Sequence, residues 1–236
     1  MTRVLVPVAI LKGEAVSTGL IELLGSVDVT VLGYHVIPEQ TPPDQARAQF
    51  EERANDALED IVAEFESAGS GANHRLVFTQ ERRKTINRLA EETDSKAYAI
   101  TGVTGKIDDL LVTLTGNVDT ERIVDFVTTL INGRDVGVTL FAVGEADGRL
   151  DTASERLSEA GIETAIKRAT GDPFDALIET IPGHDAVVMG ERAPSLGSLL
   201  FGEEAERVAT ASVGPVLVVR SETQPQTMTE KLLDER

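Results

Sequence analysis

The chain has 236 residues, enough for one large domain or two small ones, and its 41% of hydrophobic residues can build a core. That core must be aliphatic, since aromatics make up 4% and tryptophan is absent. With 22 basic against 40 acidic residues the formal charge is -18, which argues against nucleic-acid and anionic-membrane partners, and the absence of cysteine excludes disulfides, thiolate catalysis and cysteine-built zinc sites.

In chain order, the apolar run Val4 to Leu11 comes first. It is too short to cross a bilayer, contains Pro7 and has a counterpart beginning at Leu110, so it reads as a strand rather than a signal peptide. A second strand runs from Val27-Asp28-Val29 through His35-Val36. Pro43 to Ser67 follows as a long helix, with Phe50, Ala54, Ala57, Leu58, Ile61, Val62 and Phe65 at helical spacing. The short basic cluster Arg82-Arg83-Lys84 does not offset the acidic balance. Ala99-Ile100-Thr101-Gly102 ends another strand, and Gly102 and Gly105 form a G-x2-G pair with nothing after it to enclose a phosphate.

The chain then passes through Lys106 to Asp109 into a strand at Leu110 to Thr115. A helix at Asp119 to Leu130, a strand ending at Ala142-Val143, a helix at Asp151 to Ala160, a strand at Ile162 to Lys167 and a helix at Phe174 to Ile181 are predicted next. Val187 to Met189 is a buried strand that Gly190 ends; Gly202, Glu203 and Glu204 open an acidic helical turn; Gly214-Pro215 breaks that helix before the strand Val216 to Val219. From Ser221 the chain turns polar, with a short helix predicted at Met228 to Leu233 in a flexible tail.

These elements pair off. Leu5 to Ala9 aligns with Leu111 to Thr115, Val27 to Val36 with Arg134 to Val143, and Ala99 to Gly102 with Val187 to Gly190. The reading is two tandem repeats, 1–105 and 106–222, followed by a tail at 223–236; the first repeat lacks its fourth helix and fifth strand. Alternating strands and helices predict an α/β fold with a parallel sheet.

Met189 to Arg220 resembles the carboxyl-terminal signature of the universal stress protein family, whose nucleotide-binding members carry G-x2-G-x9-G followed by Ser or Thr. Gly190 and Gly202 fit the outer glycines and Ala205-Glu206-Arg207-Val208 the helix start. Ala193 stands at the middle glycine, the loop is one residue short, and Glu203 occupies the place of the phosphate-facing hydroxyl. The resemblance implies a Rossmann-like sandwich of the adenine nucleotide alpha hydrolase-like kind. It also implies a crevice between the first and fourth strands where Thr115, Gly116, Gly190 and Arg192 converge, with Val143 at the end of the second strand.

Nucleotide-binding relatives usually have an Asp at the first-strand position and hold adenine on the backbone near the second-strand Val. Here Thr115, and Ala9 in the first repeat, replace that carboxylate. A carboxylate at Glu203 would take the anion-attracting role of the helix terminus and repel a triphosphate. The expectation is therefore no dedicated cofactor, with ATP or AMP as the alternative. Thr115 still has a hydroxyl for a ribose or base, and Arg192 a charge for a phosphate. Gly190 and Gly202 are equally readable as turn and helix-entry glycines, Arg192 as the partner of a surface carboxylate, and Glu203 and Glu204 as first-turn acids.

No His or Lys adjoins Ser195 or Ser198, and His35, His74 and His184 show no metal-ligand spacing, so neither catalysis nor a metal site is expected. No Walker-type motif occurs. Scarce lysine, at Lys12, Lys84, Lys96, Lys106, Lys167 and Lys231, fits a salt-rich cytoplasm such as that of a halophilic archaeon. The function expected is a non-catalytic, cytoplasmic stress-response or regulatory module with a degenerate nucleotide cleft; the alternative is an ATP- or AMP-responsive switch acting on a partner. A homodimer through a free edge at Val216 to Val219 and a regulatory-protein or transporter partner are expected; membrane insertion is not.

Overall fold

Strands buried on both faces belong in the middle of a parallel sheet covered by helices, and two of the apolar runs have that character throughout. In a computed structural model that describes residues 2–38, 40, 42–144, 148–193 and 214–221, Arg3–Val8 is buried apart from its first residue and Ala186–Gly190 is buried entirely.

The amino-terminal half comprises β1 (Arg3–Val8), α1 (Thr18–Leu23), β2 (Asp28–Val36), α2 (Pro43–Ser67), β3 (Ala72–Thr79), α3 (Arg82–Glu92) and β4 (Ala97–Ile100). The carboxyl-terminal half comprises β5 (Asp109–Thr113), α4 (Thr120–Ile131), β6 (Gly137–Val143), α5 (Arg149–Glu159), β7 (Thr164–Ala169), α6 (Pro173–Thr180), β8 (Ala186–Gly190) and β9 (Val216–Val219). All strands join one sheet in the order β3-β2-β1-β4-β9-β8-β5-β6-β7, with helices on both faces. Neighbours run parallel except β4 and β9. The strands of the two halves therefore point in opposite directions, and their carboxyl ends lie on opposite edges of the sheet.

The expectation of a free edge at Val216 to Val219 does not hold. β9 pairs antiparallel with β4, Ala97 opposite Val219, and parallel with β8, Val187 opposite Val216. β4 pairs with β1 on one side, and β9 takes the ladder on its other side. Leu217 and Val218, at the seam, are fully buried. One continuous aliphatic cluster runs through both halves, from Val4, Leu32 and Leu58 to Leu110, Phe141 and Leu217.

Several boundaries in the carboxyl-terminal half move by one to three residues, β5 ending at Thr113 and not Thr115. α5 begins at Arg149 because Gly148, with φ of +75°, turns the chain into the helix before Asp151. β7 begins at Thr164, since Gly161, with φ of +80°, ends α5 by donating to the Ser158 carbonyl while Ile162 donates to that of Leu157. That pair of bonds draws Ile162 down onto the helix end instead of into the strand. α2 spans the residues its periodicity indicated. The helix expected after Gly202 and the tail from 223 lie outside the described residues.

Candidate functional site

In open α/β sheets ligands settle beyond the carboxyl ends of strands where the order reverses; here that is between β5 and β8 in one half and between β1 and β4 in the other. At the first of these, β5 stops at Thr113, though the Leu114 N–H still donates to the Phe141 carbonyl at 2.7 Å. The buried Thr115 then turns inward: its hydroxyl oxygen accepts from the Val143 N–H at 3.2 Å and from the Thr113 hydroxyl at 3.2 Å. A side-chain oxygen thus stands in for the next carbonyl of the ladder. Thr115 and Val143 are brought together, but by binding each other.

Gly116 follows with φ of +79°, a turn that favours glycine. Its carbonyl and that of Leu114, the latter at 3.3 Å, accept from the guanidinium of Arg149, a half-buried residue at the start of α5. Gly190, at the end of β8, is buried, and a methyl group added there would stand 2.8 Å from Val118 Cγ1 and 3.2 Å from Ile123 Cδ1. Packing beneath Val118 is therefore reason enough for that glycine. The Ala193 N–H donates to the Gly190 carbonyl at 2.9 Å, closing a turn that leaves Arg192 exposed. Glu191 fastens the same turn to the end of β9: its N–H donates to the Val219 carbonyl and its carboxylate accepts from the Ser221 N–H at 3.0 Å. At the opening turn of α4, on this same edge, Thr120 Oγ1 is buried and has no hydrogen-bond partner among the described residues. Gly202 and Glu203 lie outside the described residues.

The opposite edge holds a group that motif reading missed. After β1 a short turn, with the Lys12 N–H donating to the Ala9 carbonyl and Gly13 at φ of +70°, carries the chain back over the strand end. Glu14 then reaches across: one carboxylate oxygen accepts from the Ala9 N–H at 2.6 Å and the other from the hydroxyl of Thr101, just past β4. Nearby, burial pushes the Tyr34 phenol above its ordinary pKa; Arg82, 4.9 Å over the ring, opposes this, and the charge of Glu14 adds to it. Nothing in the composition around Glu14 marks it, because both partners are fixed by the fold.

Gly102 proves to be a crossing point, whereas Gly105 has open space where a side chain would start and it is Gly19 that is crowded against it. A methyl on Gly102 would lie 2.3 Å from the Gly214 carbonyl carbon, and one on Gly19 would lie 2.5 Å from the Gly105 carbonyl oxygen. His35 packs between Phe50 and Phe78, with ring centroids 5.7 and 6.1 Å away, as a wall residue would. Among the described residues no group of three or more acidic or histidine side chains is placed to hold a metal, and no helix is long and apolar enough to cross a membrane.

A mostly parallel α/β sheet with paired crevices on opposite edges defines the class. Within it, residues 133–220 match the universal stress protein family. The fold is similar to that of a universal stress protein from Archaeoglobus fulgidus, with a TM-score of 0.59 and 17% identity over 92% of this chain and 98% of that one. A second universal stress protein from the same organism aligns at a TM-score of 0.37 and 21% identity, covering 47% of this chain and 92% of the other. The cytoplasmic domain of a prokaryotic cation chloride cotransporter aligns at 0.48 and 9% identity, covering 92% and 94%. No curated protein matches the chain.

Proposed function

We propose that this chain is a universal stress family protein built from two tandem repeats, the first truncated, acting as a non-catalytic, cytoplasmic stress-response or regulatory module with a degenerate nucleotide crevice. The repeat reading is supported by strand order: outward from β9, both halves run fourth, first, second, third. The observation that carries the functional reading is the Thr115–Val143 bond. Where a nucleotide-binding relative would hold adenine on the backbone near the second-strand Val, this chain has already engaged that N–H with its own hydroxyl. Arg149 likewise engages the carbonyls of Leu114 and Gly116. A ligand would have to replace bonds that cost the free protein nothing to keep.

The second reading, an ATP- or AMP-responsive switch, is favoured by the exposed Arg192 and by the buried Thr120 hydroxyl on the same edge, which has no partner among the described residues. Melting curves in high potassium chloride separate the two. A ligand at about 100 times its dissociation constant stabilises by roughly 2.7 kcal/mol; Mg-ATP and AMP are expected to give no saturable shift. A saturable shift that disappears in Arg192→Ala would establish the switch instead.

A further inference from the structure

Side chains of opposite sign bind the strand ends at the two crevices, Arg149 on one edge and Glu14 on the other. The Glu14 contact is the more informative, because its two acceptor atoms meet donors from two different strand ends. One is the N–H of Ala9, a residue only 8% exposed, and the other is the hydroxyl of Thr101. Hydrogen bonds to a carboxylate are shorter and stronger than neutral ones, and a buried N–H left without a partner is costly. The donors are positioned by β1 and β4, which pair side by side with Val4 opposite Ala97 and Leu5 opposite Tyr98. Each donor belongs to the residue immediately past its strand, Ala9 after β1 and Thr101 after β4.

We propose that the carboxyl ends of β1 and β4 form a carboxylate seat, recognised by the Ala9 N–H and the Thr101 hydroxyl and occupied in cis by Glu14. Truncating that side chain leaves a site that takes a small carboxylate anion from solution. The seat is on the edge opposite the Thr115 crevice, so the outcome is independent of whether nucleotide binds there.

The test is chemical rescue in Glu14→Ala. Its melting temperature should fall below that of the wild type and rise again, saturably, with sodium formate, measured against sodium chloride of equal ionic strength; the wild type should show no formate-specific rise. Exchange of the Ala9 amide proton, followed by NMR, should speed up by about tenfold or more in the variant and slow again in formate. Adding Thr101→Val to Glu14→Ala should weaken the rescue. A folded Glu14→Ala that gains nothing from formate, or that exchanges Ala9 at the wild-type rate, overturns the proposal. If Glu14→Ala does not fold, Glu14→Gln takes its place: it keeps an acceptor but not the charge, and an Ala9 exchange rate equal to the wild type would likewise overturn it.

Discussion

A threonine hydroxyl and a carboxylate make different demands at the end of a strand. At the end of β5, the Thr115 hydroxyl extends the ladder by accepting from the Val143 N–H, and it brings no charge into a buried site. Removing the hydroxyl while keeping the shape leaves that N–H unpaired. Thr115→Val is therefore expected to cost about 1–3 kcal/mol in denaturant unfolding, and Thr115→Ser less than about 1 kcal/mol; equal stability of Val and Ser would show that the bond contributes nothing. Of the residues the family signature singled out, Thr115 was legible as a departure from the carboxylate, but its bond to Val143 was not, because 28 positions separate the partners. Arg149, 33 and 35 positions from its partners, carried no signal for the same reason, and Glu14 carried none because Thr101, one of its two partners, lies 87 positions away. Each is ordinary in its own neighbourhood and becomes informative only when a distant strand end lies beneath it.

At the scale of elements, glycines decide where chain segments cross. A methyl on Gly214 would stand 1.5 Å from the Asp185 carbonyl oxygen, and one on Gly102 would meet the same 214–215 segment. Asp185 is itself fixed: its carboxylate accepts from the N–H groups of Asp108 and Asp109 at 2.9 and 3.0 Å, and its own N–H donates to the Asp109 carbonyl. Backbone thus meets backbone just before β9, with no flexible side chain able to yield. Gly214→Ala is expected to destabilise by more than about 3 kcal/mol, among the largest single-residue effects, read as a fall in melting temperature by circular dichroism; a fall of only a degree or two would mean the crossing can relax. Gly214-Pro215 was legible as a turn before the strand β9. Its role as a crossing point was not, since turn propensity says where a chain bends and nothing about what it passes. The starts of α5 and β7 slipped for a related reason: Gly148 and Gly161 act through their left-handed conformations, which apolar spacing does not register.

For the whole molecule, the decisive feature is β9 at the centre of the sheet, parallel to one half and antiparallel to the other. A second copy cannot add to a strand whose two sides are taken, so self-association must use another surface. The sheet's outer strands are β3 and β7, and β7 carries the exposed Lys167 and Arg168 that discourage edge-to-edge pairing. Leu217→Asp puts an unpaired carboxylate into the seam, where Leu217 is fully buried. The expected result is loss of the folded state in circular dichroism, by more than about 4 kcal/mol, and not a folded monomer released from a dimer; a folded, monomeric variant would restore the edge-strand interface.

The sequence by itself determined the α/β alternation, the long α2 and the elements of the carboxyl-terminal half from β5 to β8, though not α1, β3 or α3. These follow from the spacing of apolar residues and from turn chemistry, which are local. Only the tertiary structure decided that one strand serves both halves and that Glu14, Thr115 and Arg149 bind the strand ends at the crevices. Those contacts join residues as far apart as Ala97 and Val219, and no local pattern specifies which open ladder a strand will fill.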